Sequence, residues 1–226
     1  MQIIKVSQSK DREAWLELRR GVVTSTKAKE VAPPKRGNAT PQGIYELLAE
    51  KVAVAKDGEK EMERGLRLED EALLLTQKKY ELDLDLDPGM WLSDDGKIAV
   101  SPDASQVGDK PTYAAEAKCL DSKNHLQVIL NNELNKKLPN YNPIDALAFA
   151  RTDFKPQVIQ YFVVNDSLET LYFTVYDDRI AIDKAIHYVI IIKREDVAEF
   201  VDGQELYERD AIAKVNKMIE ILKEIK

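Results

Sequence analysis

The sequence predicts an α/β fold in which a central mixed β-sheet is flanked by helices. Three observations lead there. Short apolar or alternating segments bounded by Gly, Pro, Asn and Asp recur at 91–120 and 168–193, which is strand patterning. Charged segments with helical apolar spacing lie before, between and after them. A chain of 226 residues, 44% of them hydrophobic, can bury a substantial core as one domain.

In chain order, Lys10 to Arg20 and Ser25 to Val31 read as helices. Pro33-Pro34-Lys35-Arg36-Gly37-Asn38 is a breaker-rich loop before a helix from about Pro41 to Val54. A charged, helix-prone stretch runs from about Lys60 to Lys79. Leu82, Leu84 and Leu86 then alternate with Asp83, Asp85 and Asp87, as in a strand with one solvated acidic face. These acids imitate part of a calcium loop, but Pro88 stands where the turn glycine is needed and the twelfth residue is Asp94 rather than Glu.

Trp91-Leu92-Ser93 and Lys97-Ile98-Ala99-Val100 read as strands joined by an Asp94-Asp95-Gly96 turn, the second ending at Asp103. Gly108-Asp109-Lys110-Pro111 turns the chain into a third strand, Tyr113 to Leu120. Pro156 suits the first turn of a helix through Gln157-Val158-Ile159-Gln160-Tyr161, in which positions 157 and 161 share a face. Asn165-Asp166-Ser167 is a turn before strands at Leu168 to Tyr176 and Ala185 to Lys193. Glu205 to Lys226 reads as a terminal amphipathic helix, with Ile212, Val215, Ile219 and Leu222 on one face.

The chemistry concentrates in Ser101-Pro102-Asp103 and, after twelve intervening residues, Glu116-Ala117-Lys118. The period of two puts Glu116 and Lys118 on one face of their strand and Ala117 and Cys119 on the other. Asp103, on the neighbouring strand, lies within reach of that first face. Two carboxylates, with the Ala117 carbonyl, suit a hard cation such as magnesium, and Lys118 is placed to orient or deprotonate water. The combination points to metal-dependent phosphodiester cleavage. By itself, an ExK tripeptide is more often a surface ion pair, and Glu69 is one acid among Glu61, Glu63, Asp70 and Glu71.

Charge argues the other way, since 33 basic and 40 acidic residues give −7, whereas a simple DNA-binding module is usually basic. The distribution is uneven: residues 1–40 carry +5 and the remainder −12. A basic entrance beside an acidic metal centre suits an enzyme that binds DNA and still slides along it; uneven helix decoration is the plainer reading. Cys119 is the single cysteine, so no intramolecular disulfide forms, and a reducing cytoplasm fits. The absence of a secretory or membrane-spanning apolar run points to a soluble, intracellular protein. His125 and His187 have no metal-ligand spacing, and no Gly-rich nucleotide loop is present, so zinc catalysis and ATP-driven movement are unsupported.

The ordered set of Trp15, Leu18-Arg19-Arg20-Gly21-Val22-Val23-Thr24-Ser25-Thr26, Gly65 with Glu69, Ser101-Pro102-Asp103, Glu116-Ala117-Lys118-Cys119, Gln157 with Gln160-Tyr161, and His187-Tyr188-Val189-Ile190 resembles the phage lambda-type exonucleases. These are the viral-recombinase branch of the PD-(D/E)xK nuclease superfamily, and the resemblance implies a restriction-endonuclease-like core. It implies 5′→3′ digestion of one strand of linear duplex DNA, leaving 3′ overhangs for a single-strand annealing protein. Asp103 and Glu116 become magnesium ligands, with manganese a substitute, and Lys118 the water-positioning or general-base residue. Glu69 becomes a ligand of a second metal or of the metal's water, and Gln157 and Gln160 active-site supports. Arg19, Thr26 and Ser101 match a pocket for a terminal 5′-phosphate. The family's further basic residue falls at Asn124, with Lys123 one place earlier, and the segment 131–154 is longer than the family pattern.

The resemblance further implies a ring-shaped homotrimer around DNA, in the cytoplasm of a bacterial host and of phage or prophage origin. One nuclease domain over 1–226 would carry a helical DNA-end-binding region at about 1–55, with Lys35 or Arg36 near the duplex fork, and a C-terminal helix at about 205–226. An endonuclease on the same core and a catalytically silent DNA-end-binding scaffold are the competing readings.

Overall fold

The computed structural model describes residues 13–14, 45, 49, 61–96 and 98–224. In chain order the elements are α1 (Glu61–Tyr80), β1 (Leu84–Asp85), β2 (Trp91–Leu92), β3 (Ala99–Val100), β4 (Ala104–Gln106), β5 (Tyr113–Lys118), α2 (Ser122–Asn135), α3 (Pro143–Ala150), α4 (Phe154–Val164), β6 (Thr170–Tyr176), α5 (Asp183–Ile186), β7 (His187–Lys193) and α6 (Arg194–Lys223). Glu13, Ala14, Tyr45 and Ala49 are helical. The rest of the helices expected before residue 55, and the loop at 33–38, lie outside the described residues.

Five strands form one mixed sheet in the order β1-β4-β5-β6-β7, antiparallel except for the parallel β5–β6 pair. Alternation along β6 explains the layers. Leu171, Phe173 and Val175 point into the larger core with Val158, Tyr161 and Phe162 of α4, Ile144 and Leu147 of α3, and Val197 of α6. Tyr172 and Tyr176 point to the opposite face, where Leu68, Ala72 and Leu73 of α1 pack on Ala104, Ala115 and Ala117. Each fully buried large aliphatic or aromatic side chain contributes about 1.5–3 kcal/mol through burial. The alanines of β5 do something different: they let α1 approach the sheet closely.

The alternation of leucines and acids after α1 behaves as expected, with Leu84 buried and Asp83, Asp85 and Asp87 exposed. Pro156 falls in the first turn of α4. Three boundaries differ from expectation. Asp103 does not end the strand that begins near Lys97; β3 pairs with β2 in a separate hairpin, and Asp103 precedes β4 in the main sheet. Pro102, which cannot donate a ladder hydrogen bond, separates the two strands. Ala185 and Ile186 belong to α5, and β7 begins at His187. The last helix begins at Arg194, eleven residues before Glu205. Its early part is held by the buried Val197 and by Gln204, which donates to the Pro156 carbonyl at 2.9 Å. The side chains of Ile212, Val215, Ile219 and Leu222 lie outside those described.

Candidate active site

The β4–β5 register sets Ala104 against Ala115 and Ser105 against Ala114. Continued by one residue, that register would set Asp103 opposite Glu116. Continued by two, it would set Pro102 opposite Ala117. The Ala117 N–H donates to Asp103 Oδ2 at 2.8 Å. In a strand the N–H and C=O of one residue face the same edge, so the Ala117 carbonyl also faces β4, where proline offers it no donor. A backbone oxygen and two carboxylates are thereby gathered at one end of the β4–β5 pair.

Glu116 is only 2% exposed, and four residues apart on α4 two side chains reach it from the large-core side. Gln157 Nε2 donates to its Oε1 at 2.5 Å, and the Tyr161 hydroxyl donates to its Oε2. Lys118, two residues along the same face of β5, forms an ion pair with Oε1. Burial and the adjacent Glu116 push Tyr161 well above the ordinary phenol range, so its hydroxyl stays protonated and donates. Burial, then the charge of Glu116, pushes Asp103 up to about 7; the Ala117 hydrogen bond and Lys118 act against this. Glu69, on α1, is also raised, first by burial and then by Glu116, with Lys118 opposing. The acids of three elements therefore feel one another's charge.

That mutual repulsion between partly buried carboxylates is what a divalent cation relieves, and the all-oxygen donor set suits magnesium or manganese. Among the described residues no three carboxylate, imidazole or thiolate side chains converge as a metal cage. Asp103, Glu116 and the Ala117 carbonyl thus fit an ion that keeps several waters, as magnesium does.

Gln157 joins the cluster and Gln160 does not. Gln160 Nε2 donates to the Ala99 carbonyl of β3 at 3.2 Å, and its Oε1 accepts from Gln204 at 2.8 Å, tying the β2–β3 hairpin to α6. Ser101 is exposed two residues before Asp103, and Lys123 sits half-buried in the first turn of α2. Asn124 is held by the helix cap: its side chain donates to Asp121 Oδ2 at 2.5 Å. Arg19, Thr26, Lys35 and Arg36 lie outside the described residues. Tyr161 is the contact missing from the sequence-derived site, although its place four residues after Gln157 was the available signal. Trp91 packs edge-on against its ring, with centroids 6.2 Å apart.

The histidines stand apart from this cluster. His125 is buried with Nε2 2.6 Å from the Ala185 carbonyl, and His187 Nε2 is 2.9 Å from Thr76 Oγ1. Among the described residues no helix is long and apolar enough to cross a membrane.

A family model described as the YqaJ-like viral recombinase domain matches residues 14–144. Among solved structures the chain is similar to the alkaline exonuclease LHK-Exo from Laribacter hongkongensis, at 22% identity and a TM-score of 0.53, covering 93% of this chain and 96% of that one. LHK-Exo in complex with dAMP is matched at 22% identity and a TM-score of 0.52, with the same coverage of 93% and 96%. No curated protein sequence matches. The fold is that of the alkaline exonuclease LHK-Exo, a mixed sheet flanked by helices.

Proposed function

Because the chain belongs to the YqaJ-like viral recombinase family, we propose that it is a magnesium-dependent exonuclease acting on linear duplex DNA. It digests one strand in the 5′→3′ direction from a 5′-phosphorylated end and leaves 3′ single strands for recombination by annealing. The observation that carries this reading is the pair of the buried Glu116 and the half-buried Asp103, beside Lys118 and the Ala117 carbonyl.

Asp103, Glu116 and the Ala117 carbonyl would hold the ion. Magnesium, or manganese in its place, supplies Lewis-acid stabilisation of charge on the phosphate oxygens and leaving group. The chain's own side chains do the positioning. Gln157 and Tyr161 fix the Glu116 carboxylate in one orientation, each by a donated hydrogen bond. Lys118 positions the attacking water and neutralises charge in the cleft, while Glu69 accepts a hydrogen bond from water on the α1 side. Gln160 supports the site indirectly, through β3 and α6.

Arg19, Thr26, Ser101 and Lys123 are assigned to the terminal 5′-phosphate, which carries more charge than an internal diester and suits an Arg fork with hydroxyl donors. Lys35 and Arg36 are assigned to the duplex near its fork. The +5 balance of residues 1–40 supports both assignments. A homotrimeric ring and a single-strand annealing partner complete the reading, in the cytoplasm of a phage-bearing or prophage-bearing host.

The test uses magnesium-dependent digestion of linear duplexes that differ only in a 5′-phosphate or 5′-hydroxyl, with nicked and closed circles alongside. Faster release of nucleotides from phosphorylated linear ends, with closed circles intact, is the expected outcome. Cutting of closed circles would establish an endonuclease instead, and end binding without cleavage a scaffold.

A further inference from the structure

Helix α1 reaches the active site through Glu69, yet it is held on the sheet by contacts with no part in the chemistry above. Three follow one another along β6. The Tyr176 hydroxyl donates to Glu71 Oε1 at 2.7 Å. Thr76 Oγ1 lies 2.8 Å from Thr174 Oγ1. The rings of Tyr80 and Tyr172 meet with centroids 5.1 Å apart. Helix numbers rise as strand numbers fall by two, so α1 runs antiparallel to β6 along its even-numbered face. The pitches agree, since four or five helical residues advance about 6–7.5 Å and two strand residues about 6.6 Å.

The middle contact is polar and sealed. Thr76 and Thr174 are both 0% exposed. Three groups surround the Thr76 hydroxyl: the Ala72 carbonyl at 2.9 Å, Thr174 Oγ1 at 2.8 Å and His187 Nε2 at 2.9 Å. A hydroxyl has one proton and two lone pairs. The carbonyl can only accept, so Thr76 donates to Ala72 and accepts from both the Thr174 hydroxyl and an Nε2–H of His187. Burial, with Lys79 nearby, pushes His187 down to about 4, which keeps the ring neutral at pH 7. The network therefore selects one tautomer and spans α1, β6 and β7.

Part of the apolar surface under α1 is small, at Ala104, Ala115 and Ala117, beside the larger Leu84 and Tyr176. Small side chains make shallow grooves, whereas a hydrogen bond is directional and costs about 1–3 kcal/mol when a buried partner is left unmade. Thr76 lies seven residues, about two turns, from Glu69 on the same side of the helix. We propose that the Thr76–Thr174–His187 network is a positioning device that sets the height of α1 on the sheet and thereby places Glu69 beside Glu116 and Lys118. The proposal rests on the role given to Glu69 above.

The experiment measures kcat, KM and magnesium activation on linear duplex for the native protein, Glu69→Ala, Thr76→Val, Thr76→Ser and the Glu69→Ala/Thr76→Val double variant. Misplacing a catalytic group by about 1 Å can cost about 10²-fold. Thr76→Val is expected to lower kcat by about 10- to 100-fold with KM within about twofold, Thr76→Ser to restore most of the rate, and the double variant to be no slower than Glu69→Ala. A slow Glu69→Ala beside a fast Thr76→Val, or losses that multiply in the double variant, overturns the positioning role alone. A Glu69→Ala protein as fast as the native one overturns the role of Glu69 and the proposal with it. Should Thr76→Val fail to fold, Thr174→Val is read by the same criteria, and imidazole nitrogen NMR of the native protein provides an independent check. An Nε2–H tautomer for His187 at pH 7 supports the network; an Nδ1–H tautomer overturns it.

Discussion

Two sets of acids sit in adjoining strands of one sheet and do different things. Asp83, Asp85 and Asp87, in and around β1, are exposed; Asp85 caps a local turn by accepting from the Asp87 N–H at 3.0 Å. Asp103 and Glu116 lie at the end of the β4–β5 pair, and Glu116 is buried under donors from another helix. The first set is denser in sequence and closer to a familiar metal pattern. The difference teaches that carboxylate density alone does not set charges against one another: close approach across a strand pair and loss of solvent do.

That contrast can be attacked from its stronger side first. Glu116→Gln or Asp103→Asn should reduce nucleotide release by about 10⁴-fold, as expected if several kcal/mol of charge stabilisation are lost. Lys118→Ala should cost about 10²–10⁴-fold with DNA binding retained, measured as single-turnover cleavage beside an end-binding titration. Cleavage at the native rate in any of these would remove the pair from the chemistry.

Acid should act next. In the metal-free protein Asp103 holds its proton up to about pH 7, whereas an unfolded aspartate releases it near 3.8. Its contribution to stability is therefore full below 3.8 and is lost as pH rises through 7, where the folded protein gains from an added cation. Apparent magnesium affinity should weaken by up to about tenfold per pH unit below 7, because one proton competes with the ion. Calorimetric titrations at pH 6, 7 and 8 check this, and a pH-independent affinity would contradict it.

Tyr161→Phe removes one donor to a carboxylate, an interaction of about 1.5–3 kcal/mol, and should slow cleavage about tenfold without changing DNA binding. Replacing Asp83, Asp85 and Asp87 together by Asn should leave cleavage and metal activation within about twofold. A larger loss would mean that the exposed acids share in the site.

Much of this arrangement was readable from local pattern. The two-residue period placed Glu116 and Lys118 on one face, the leucine alternation placed β1, and Pro156 marked the start of α4. What stayed hidden depends on tertiary contact. Gln157 and Gln160 are equally plausible in sequence, and only the rotation of α4 on the sheet turns Gln157 toward Glu116 and Gln160 toward Gln204, 44 residues away. Gly203 weakens helix propensity within α6, yet packing of Val197 and the bonds of Gln204 carry the helix through it. Thr76 gave no local signal, because its partners Thr174 and His187 stand 98 and 111 residues away.

The connection from β5 to β6 has a consequence for the order of assembly. Glu116 is contacted by Gln157 and Tyr161 of α4 at separations of 41 and 45 residues, across α2 and α3. Such contacts are slow to form, because the loop must close before they stabilise anything. A nascent chain emerged only as far as Lys118 has both acids but neither their covering helix α4 nor β6, which flanks β5 opposite β4. Cleavage should therefore appear late in synthesis, after the chain has extended past Tyr176 and the crossover has closed.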